Sequence, residues 1–350
     1  MSCAPCASRS PPSRGPRRTR CPTTGTPDPA GPAAPPPDTQ HTAGVIPWDR
    51  EAELLALAGD GRRDLLVPGQ VIGGRLVLGL LGRGGSAQVY RVLRGAGRSA
   101  REEALKVLEP SAAATGAGRR RFHRECEVAT EVRHPGVVAV LTHGEELPRG
   151  SALEEPLLWA AMELLDGGTS AALRPRGRGR PDVDRILDVL AQAAAGLDAV
   201  HALDVVHGDV KPTNVLLAAP PDRRAAVTDF GLARSLDESR PLARHGRVAG
   251  SLPYAAPELL QAQRVTPATD VYSLACTAVE LLSGEPPYPF STTFAVARAH
   301  VAGRPPKLSR RRRWLPVALD RVVARALAVD PAERPPSCTA LVEELTAALV

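Results

Sequence analysis

The chain is poor in aromatic side chains and in lysine. Aromatic residues make up 3% of its 350 residues, and only three of its 44 basic residues are lysines. Proteins that bind single-stranded nucleic acids stack the bases on aromatic side chains, so we expect no nucleic-acid partner. Where a lysine does occur among so many arginines, its position favours a role for a compact ammonium group that a planar guanidinium cannot fill.

Long apolar runs are absent as well. No run of apolar residues is long enough for a membrane-spanning helix, and the N-terminus lacks the apolar stretch of a secretory signal. The six cysteines are scattered. Cys126 and Cys276 lie among apolar residues and are expected to be reduced, whereas Cys3, Cys6 and Cys21 lack the fourth ligand of a closed zinc site. We therefore expect a cytoplasmic protein with no membrane partner.

The N-terminal part of the chain is rich in proline, arginine and alanine. Residues 1–44 contain 11 prolines and almost no large apolar side chains, so they cannot bury enough surface to offset the entropy of ordering. We predict a mostly disordered extension over residues 1–66 and one folded domain over residues 67–345.

Within the folded domain, strand-like runs come first and helical periodicity follows. Strands are predicted over residues 75–81, 89–93, 104–108, 137–141 and 157–162, with one helix over 119–132. Beyond Leu165, apolar residues recur at helical spacing, over 186–200 and within 268–283 and 317–328. This order predicts an α+β fold with two lobes, a strand-rich one over about 67–163 and a helical one over about 164–345. A ligand site is expected in the cleft between them.

Two features of the strand-rich lobe are suited to phosphate. The glycine-rich turn from Gly82 to Val89 lets backbone amides approach an anion without a Cβ in the way, although such a turn is often only a hairpin. Lys106 lies in an apolar strand, where it either extends its ammonium to solvent or pairs with an acid. Glu125 on the following helix is the candidate partner.

The run from His207 to Leu217 carries the strongest chemical signal. It contains an acid, Asp209, and an amide, Asn214, ahead of an apolar strand. A turn then leads to a second strand, so a hairpin would bring Asn214 beside Asp229. Oxygen ligands brought together in this way suit Mg²⁺, and Asp209 would be placed to accept a proton from a hydroxyl. The alternative is an ordinary hairpin with polar ends.

The order of these motifs resembles a known family. H-G-D-x-K-x-x-N at 207–214, D-F-G at 229–231 and A-P-E at 256–258 are similar to the eukaryotic-type (Hanks-type) protein kinases, in their bacterial serine/threonine branch. The resemblance covers about residues 71–345. It implies a bilobal kinase fold that binds ATP with Mg²⁺, or Mn²⁺ as an alternative, and transfers the γ-phosphoryl group to serine or threonine hydroxyls of protein substrates in signalling.

The resemblance also implies a role for each matching residue. Asp209 would be the catalytic base, Lys211 would steady the transferred phosphoryl group, and Asn214 and Asp229 would hold the metal. Asp270 would anchor the catalytic loop, and Glu258 would pair with Arg334. The expected nucleotide-binding residues are Gly82, Gly84, Val89, Ala104, Lys106, Glu125, Met162, Glu163, Leu165 and Leu216.

Some positions depart from the family pattern, and two other functions stay open. Ala87 replaces the third glycine of the loop, and Gly208 replaces the arginine that usually precedes the base. A small-molecule phosphotransferase of the aminoglycoside or choline kinase kind shares part of the motif, and a pseudokinase scaffold would share the fold without turnover. The basic run Arg310–Arg313 is either a solvated loop or a docking patch for an acidic protein partner.

Overall fold

The computed structural model describes residues 64–113, 116–149, 155–177, 179–229, 234–235 and 251–349. The predicted N-terminal extension therefore lies outside the described residues, apart from residues 64–66.

A six-stranded antiparallel sheet forms the first lobe, in the order β1-β2-β3-β4-β6-β5. A further bridge joins Val71 in β1 to Arg149, beyond β5, so the sheet curls back toward its own first strand. The six strands are β1 (Val71–Ile72), β2 (Arg75–Arg83), β3 (Ala87–Arg94), β4 (Arg101–Leu108), β5 (Val140–Glu146) and β6 (Leu157–Glu163).

The strand predicted over residues 137–141 is displaced in the structure. The strand β5 begins only at Val140, because the residues before it pair with another strand. Val138 donates its N–H to Val227 O (2.9 Å), and Val227 donates to Gly136 O (2.9 Å). The prediction was wrong in its bounds, since an apolar run alone does not reveal which strand it pairs with.

The first lobe contains one short helix and one long helix, and the remaining helices lie in the second lobe. They are α1 (Pro110–Ala113) and α2 (Gly116–Glu131), followed by α3 (Val183–His201), α4 (Pro257–Leu260), α5 (Pro267–Ser283), α6 (Thr293–Ala302), α7 (Leu308–Arg311), α8 (Val317–Ala326) and α9 (Cys338–Leu349). Phe122 and Cys126 of α2 pack on Leu158 and Ala160 of the sheet. None of the described helices combines the length and the apolar character needed to cross a membrane.

The second lobe is built around the buried helix α5. From Thr269 to Ser283 every residue of α5 is buried, and the apolar faces of α3, α8 and α9 share its core. Two short antiparallel strand pairs complete this lobe: β7 (Val205–Val206) with β10 (Arg234–Ser235), and the hairpin of β8 (Val215–Leu217) with β9 (Ala225–Val227). The predicted α+β architecture with a strand-rich and a helical lobe is confirmed.

Two glycines lie in close backbone contact between the loop before β5 and helix α3. A Cβ built on Gly196 of α3 would lie 2.2 Å from the carbonyl oxygen of Gly136, and one built on Gly136 would lie 2.2 Å from Gln192 O. Because the atoms in the way belong to the backbone, the loop can approach the helix this closely only without side chains.

We expect the variant Gly196→Ala to be destabilised. Helix propensity alone predicts a gain of about 1 kcal/mol for alanine, but the backbone clash should cost about 1–3 kcal/mol or more. Urea denaturation would measure the change in the free energy of unfolding. Gly79→Ala is the control, because a Cβ at Gly79 meets nothing within 4 Å. A Gly196→Ala variant more stable than the native chain would contradict the close contact.

Candidate active site

The predicted hairpin forms between β8 and β9. Val215 pairs with Val227, and Thr228 donates its N–H to Asn214 O (2.9 Å). Asn214, just before β8, and Asp229, just after β9, therefore lie at the same end of the hairpin.

The carboxylate of Asp209 is held on one side only. Its Oδ2 accepts hydrogen bonds from Lys211 Nζ (2.8 Å) and Asn214 Nδ2 (3.2 Å), and Asn214 Nδ2 also donates to the carbonyl of Asp209 (2.8 Å). Among the described residues, nothing donates a hydrogen bond to the other oxygen, Oδ1, although it is buried. A buried acceptor without a partner is costly, so Oδ1 is the atom best placed to accept a hydrogen from a bound substrate.

One buried carboxylate shapes the loop that carries Asp209. Asp270 of α5 accepts the backbone N–H groups of His207 and Gly208, each at 2.8 Å, which confirms the predicted anchor. Gly208 has a φ of +75°, a conformation that glycine adopts without the steric cost of a Cβ. The next residue is thereby presented to the cleft.

Lys106 reaches across the cleft to Asp229, and the two side chains form an ion pair. Lys106 holds the pKa of the Asp229 carboxyl at about 2. Burial alone would lower the pKa of Lys106, but the negative charges of Asp229 and Glu125 raise it. The predicted partner Glu125 thus contributes negative charge at Lys106, and Asp229 forms an ion pair with it. Both groups are kept charged at neutral pH.

Asp229 adopts a backbone conformation that is rare for a residue with a side chain. Its φ is +70°, which costs on the order of 1–3 kcal/mol and is found mainly at functional sites. With this left-handed conformation the chain turns away at the end of β9, and the Asp229 carboxylate faces Lys106. The side chain remains 41% exposed, so a ligand in the cleft can reach it.

The remaining predicted residues lie around the same cleft. Gly82 in β2 pairs with Val89, which pairs with Lys106 on the other side, and Ala104 pairs with Met162. The exposed Gly84 donates its N–H to Ala87 O (2.8 Å). One apolar cluster brings together Met162, Leu165 and Leu216 with two residues that the sequence did not single out, Val138 and Ala226.

The side chain of Glu163 has a role that the sequence did not indicate. Arg224, on the turn before β9, donates to both of its carboxylate oxygens at 2.7 Å and to the carbonyl of Pro135 (2.7 Å). Glu163 also accepts the N–H of Ala139 (2.7 Å) and donates its own to Ala139 O (3.0 Å). Arg224 of the second lobe thus fixes the end of β6 between the two lobes. No local sequence motif predicts this contact.

Two further contacts connect the loop at residues 251–258 to the site. Lys211 Nζ donates to Ser251 Oγ (2.9 Å), which brings this loop to the Asp209 side of the cleft. Glu258 forms a buried ion pair with Arg334 (2.8 Å), as predicted, and Arg334 also packs over the ring of Tyr272 (4.9 Å). This second pair is structural, because it lies within the core.

Comparisons with known proteins agree with this geometry. The model of the protein kinase domain matches residues 76–345. The chain belongs to the protein kinase family. It is 36% identical over 279 residues to PknF, a serine/threonine-protein kinase of Mycobacterium tuberculosis, covering 78% of this chain and 56% of PknF. It is 38% identical over 274 residues to PknJ of the same organism, covering 77% of this chain and 44% of PknJ.

A solved kinase domain has the same fold. The crystal structure of the M. tuberculosis PknI kinase domain is 33% identical in sequence, covers 81% of this chain and 99% of that domain, and superposes with a TM-score of 0.62. The chain spans about half the length of the curated relatives named above. The predicted assignment to the Hanks-type bacterial serine/threonine branch is confirmed.

We expect the stability of the fold to depend on the charge of His201. Burial alone would lower the pKa of His201, but hydrogen bonds to Asp198 and Asp270 raise it from 6.5 to about 9. Because the folded-state pKa is the higher one, this stabilisation is complete below pH 6.5 and is lost as the pH rises through about 9. The stability advantage of the native chain over His201→Gln should therefore shrink by about 3 kcal/mol between pH 6 and pH 9.5.

Chemical denaturation at both pH values measures this advantage. His300→Gln is the matched control, because burial lowers the pKa of His300 to about 4; the residue is neutral in the folded chain over the whole range, so the advantage over this variant should not shrink as the pH rises. A stability advantage over His201→Gln that is the same at both pH values would contradict the raised pKa.

Proposed function

We propose that the chain is an ATP-dependent serine/threonine protein kinase that transfers the γ-phosphoryl group of ATP to hydroxyls of protein substrates. The observation that carries this proposal is the Asp209 carboxylate. Its Oδ2 is fixed by Lys211 and Asn214, and its buried Oδ1 has no donor among the described residues. This is the geometry of a proton acceptor that awaits a hydroxyl.

The residues present fit a magnesium nucleotide. Asn214 uses its Nδ2 to bind the Asp209 carbonyl, so its Oδ1 would be free to bind a metal, and Asp229 at the same end of the hairpin would supply a carboxylate. Amide and carboxylate oxygens are the donors that Mg²⁺ prefers, with Mn²⁺ as an alternative. When bound, the ion would offset negative charge on the phosphates. Lys106 would contact the α- and β-phosphates, and Met162, Glu163 and Leu165 would line the base pocket.

In the transfer step, each side chain would have a separate task. Asp209 would orient the substrate hydroxyl through Oδ1 and accept its proton as the oxygen attacks the γ-phosphorus. The bond between the γ-phosphorus and the β,γ-bridging oxygen would break in the same step, and ADP would leave. Lys211 lies 2.8 Å from Oδ2 and would stabilise the negative charge on the transferred group. Most of the rate enhancement would come from this positioning and electrostatics.

The substrate class is supported by the loop that contains Ser251. The bond from Lys211 to Ser251 (2.9 Å) joins this loop to the Asp209 site, where a serine or threonine of a protein would be presented. A small-molecule phosphotransferase is less well supported, because the A-P-E segment resembles protein-substrate kinases. A pseudokinase is less well supported because Lys106, Asp209, Asn214 and Asp229 are all present.

We expect Asp209→Asn to lower kcat by about 10²-fold or more, since a positioned general base contributes roughly that factor. Transfer of labelled phosphate from ATP to a generic protein, with small amines as competing substrates, would measure it. Asp184→Asn, an exposed acid on α3, is the control and should keep full activity. Full activity of Asp209→Asn would refute the assignment of the base, and transfer only to amines would favour the phosphotransferase.

An acidic protein partner is also proposed at the basic run Arg310–Arg313. Two of its arginines serve the fold: Arg311 donates to Pro286 O (2.9 Å) and Arg312 to Ser283 O (2.8 Å). The exposed Arg310 and Arg313 are therefore the ones that would meet a partner. A cytoplasmic location is proposed as well, supported by the three free, buried cysteines among the described residues.

We expect the double variant Arg310→Glu/Arg313→Glu to raise KM for an acidic protein substrate by about three- to tenfold at low salt. KM for ATP and for a neutral protein should not change, and added salt should shrink the effect because it screens exposed charges. An unchanged KM for the acidic substrate would show that this run is only a solvated loop.

A further inference from the structure

Two backbone N–H groups from the segment before β1 bind the strand that follows the glycine-rich turn. Leu65 donates its N–H to Gln88 Oε1 (3.1 Å), and Leu66 donates its N–H to Tyr90 Oη (3.1 Å). Tyr90 also donates its hydroxyl hydrogen to Gln88 Oε1. Gln88 and Tyr90 are 0% and 1% exposed, so the bonds end on side chains that are shielded from water.

The same segment makes an apolar and an ionic contact. Leu66 is 1% exposed and belongs to the core of the strand-rich lobe together with Tyr90. Asp64 forms an ion pair with Arg83, the last residue of β2 and the first beside the turn. We call residues 64–66 the brace.

The position of Gln88 connects the brace to the nucleotide site. Successive side chains of a strand point to opposite faces, so Gln88 and Tyr90 share the face that the brace covers, whereas Val89 lies on the other. Val89 is the residue of β3 expected to cover the nucleotide, and it pairs with Lys106. The brace thus supports the outer face of the strand whose inner face would contact ATP.

The network continues to the tip of the turn. Gln88 Nε2 donates to Glu109 Oε1 (2.9 Å), and Glu109 donates its N–H to Ser86 O (2.9 Å). The turn itself contains Gly84 and Gly85, which are exposed and conformationally free. The bonds from Gln88 therefore restrain a segment that would otherwise be ordered only when a nucleotide binds.

We infer that the brace positions the glycine-rich turn through Gln88 and Tyr90, and that these two are positioning residues for ATP. The inference about ATP rests on the proposed kinase function. A turn that is already held in its binding conformation loses less entropy when the ligand binds. Breaking the brace should thus weaken ATP binding more than it slows the transfer step, because Asp209, Lys211 and Asn214 lie in the other lobe.

The test uses the full-length chain with Gln88→Leu, which removes the acceptor for Leu65 and the donor to Glu109 while keeping a side chain of similar size. KM for ATP should rise by about fivefold, the factor expected from the loss of roughly 1 kcal/mol. The kcat value and KM for the protein substrate should change by less than about twofold. Tyr90→Phe removes only the hydroxyl and should act in the same direction with a smaller effect.

A matched control lies in the same segment. Gln70 also accepts a backbone N–H, from Val67 (2.9 Å), so Gln70→Leu repeats the substitution elsewhere in the residues before β1. KM for ATP should stay at the native value in this variant. A rise equal to that of Gln88→Leu would overturn the specific role of the brace and indicate a general loosening of the lobe.

Hydrogen exchange makes the result independent of turnover. Amides of residues 82–89 should exchange faster in Gln88→Leu than in the native chain, with residues 205–217 unchanged. Equal exchange of residues 82–89 in the two chains would overturn the brace, whatever the activity. A native chain that exchanges as expected but transfers no phosphate would instead refute the proposed kinase function.

Discussion

The loop that carries Asp209 depends on one buried carboxylate, that of Asp270. It is 0% exposed and accepts hydrogen bonds from the backbone of His207 and Gly208 and from the ring of His201 (2.7 Å). Burial alone would raise the pKa of Asp270, yet these donors hold it below its ordinary value. Asp270 belongs to α5, the most buried of the described helices of the second lobe. The loop bound to Asp270 is therefore fixed to the core, and this holds Asp209 in one position.

The charges in the cleft are balanced within the protein itself. Lys106 and Asp229 come from different lobes and neutralise each other, so neither charge is left without a partner in the cleft. A nucleotide with its metal ion brings both signs of charge. The proposed contacts of phosphate with Lys106 and of the metal with Asp229 would therefore replace this pair without leaving either side chain unpaired.

Sequence patterns predicted which side chains meet at the candidate site better than they predicted the contacts that hold those side chains in place. The spacing of Asp209, Asn214 and Asp229 is local, and a tight turn between two apolar strands is enough to bring them together. The contact of Arg224 with Glu163 joins residues 61 positions apart, and no periodicity encodes it. The bounds of β5 were missed for the same reason, because the residues just before it bond to β9. Pairings between distant segments depend on packing, which a pattern along the chain does not contain.

The supports share a physical logic. Arg224 holds the segment between the lobes through Glu163 and the carbonyl of Pro135, and the brace holds the opposite side of the same cleft through Gln88. Arg224 and Gln88 are not among the motif residues named above. Yet the side chain of each forms a buried or half-buried hydrogen bond with a backbone group or a carboxylate. Reactive groups keep a useful geometry only when such bonds fix the elements that carry them. The motif residues thus determine which reaction the cleft can perform. The residues outside the motifs determine how much conformational entropy the protein loses when a nucleotide binds.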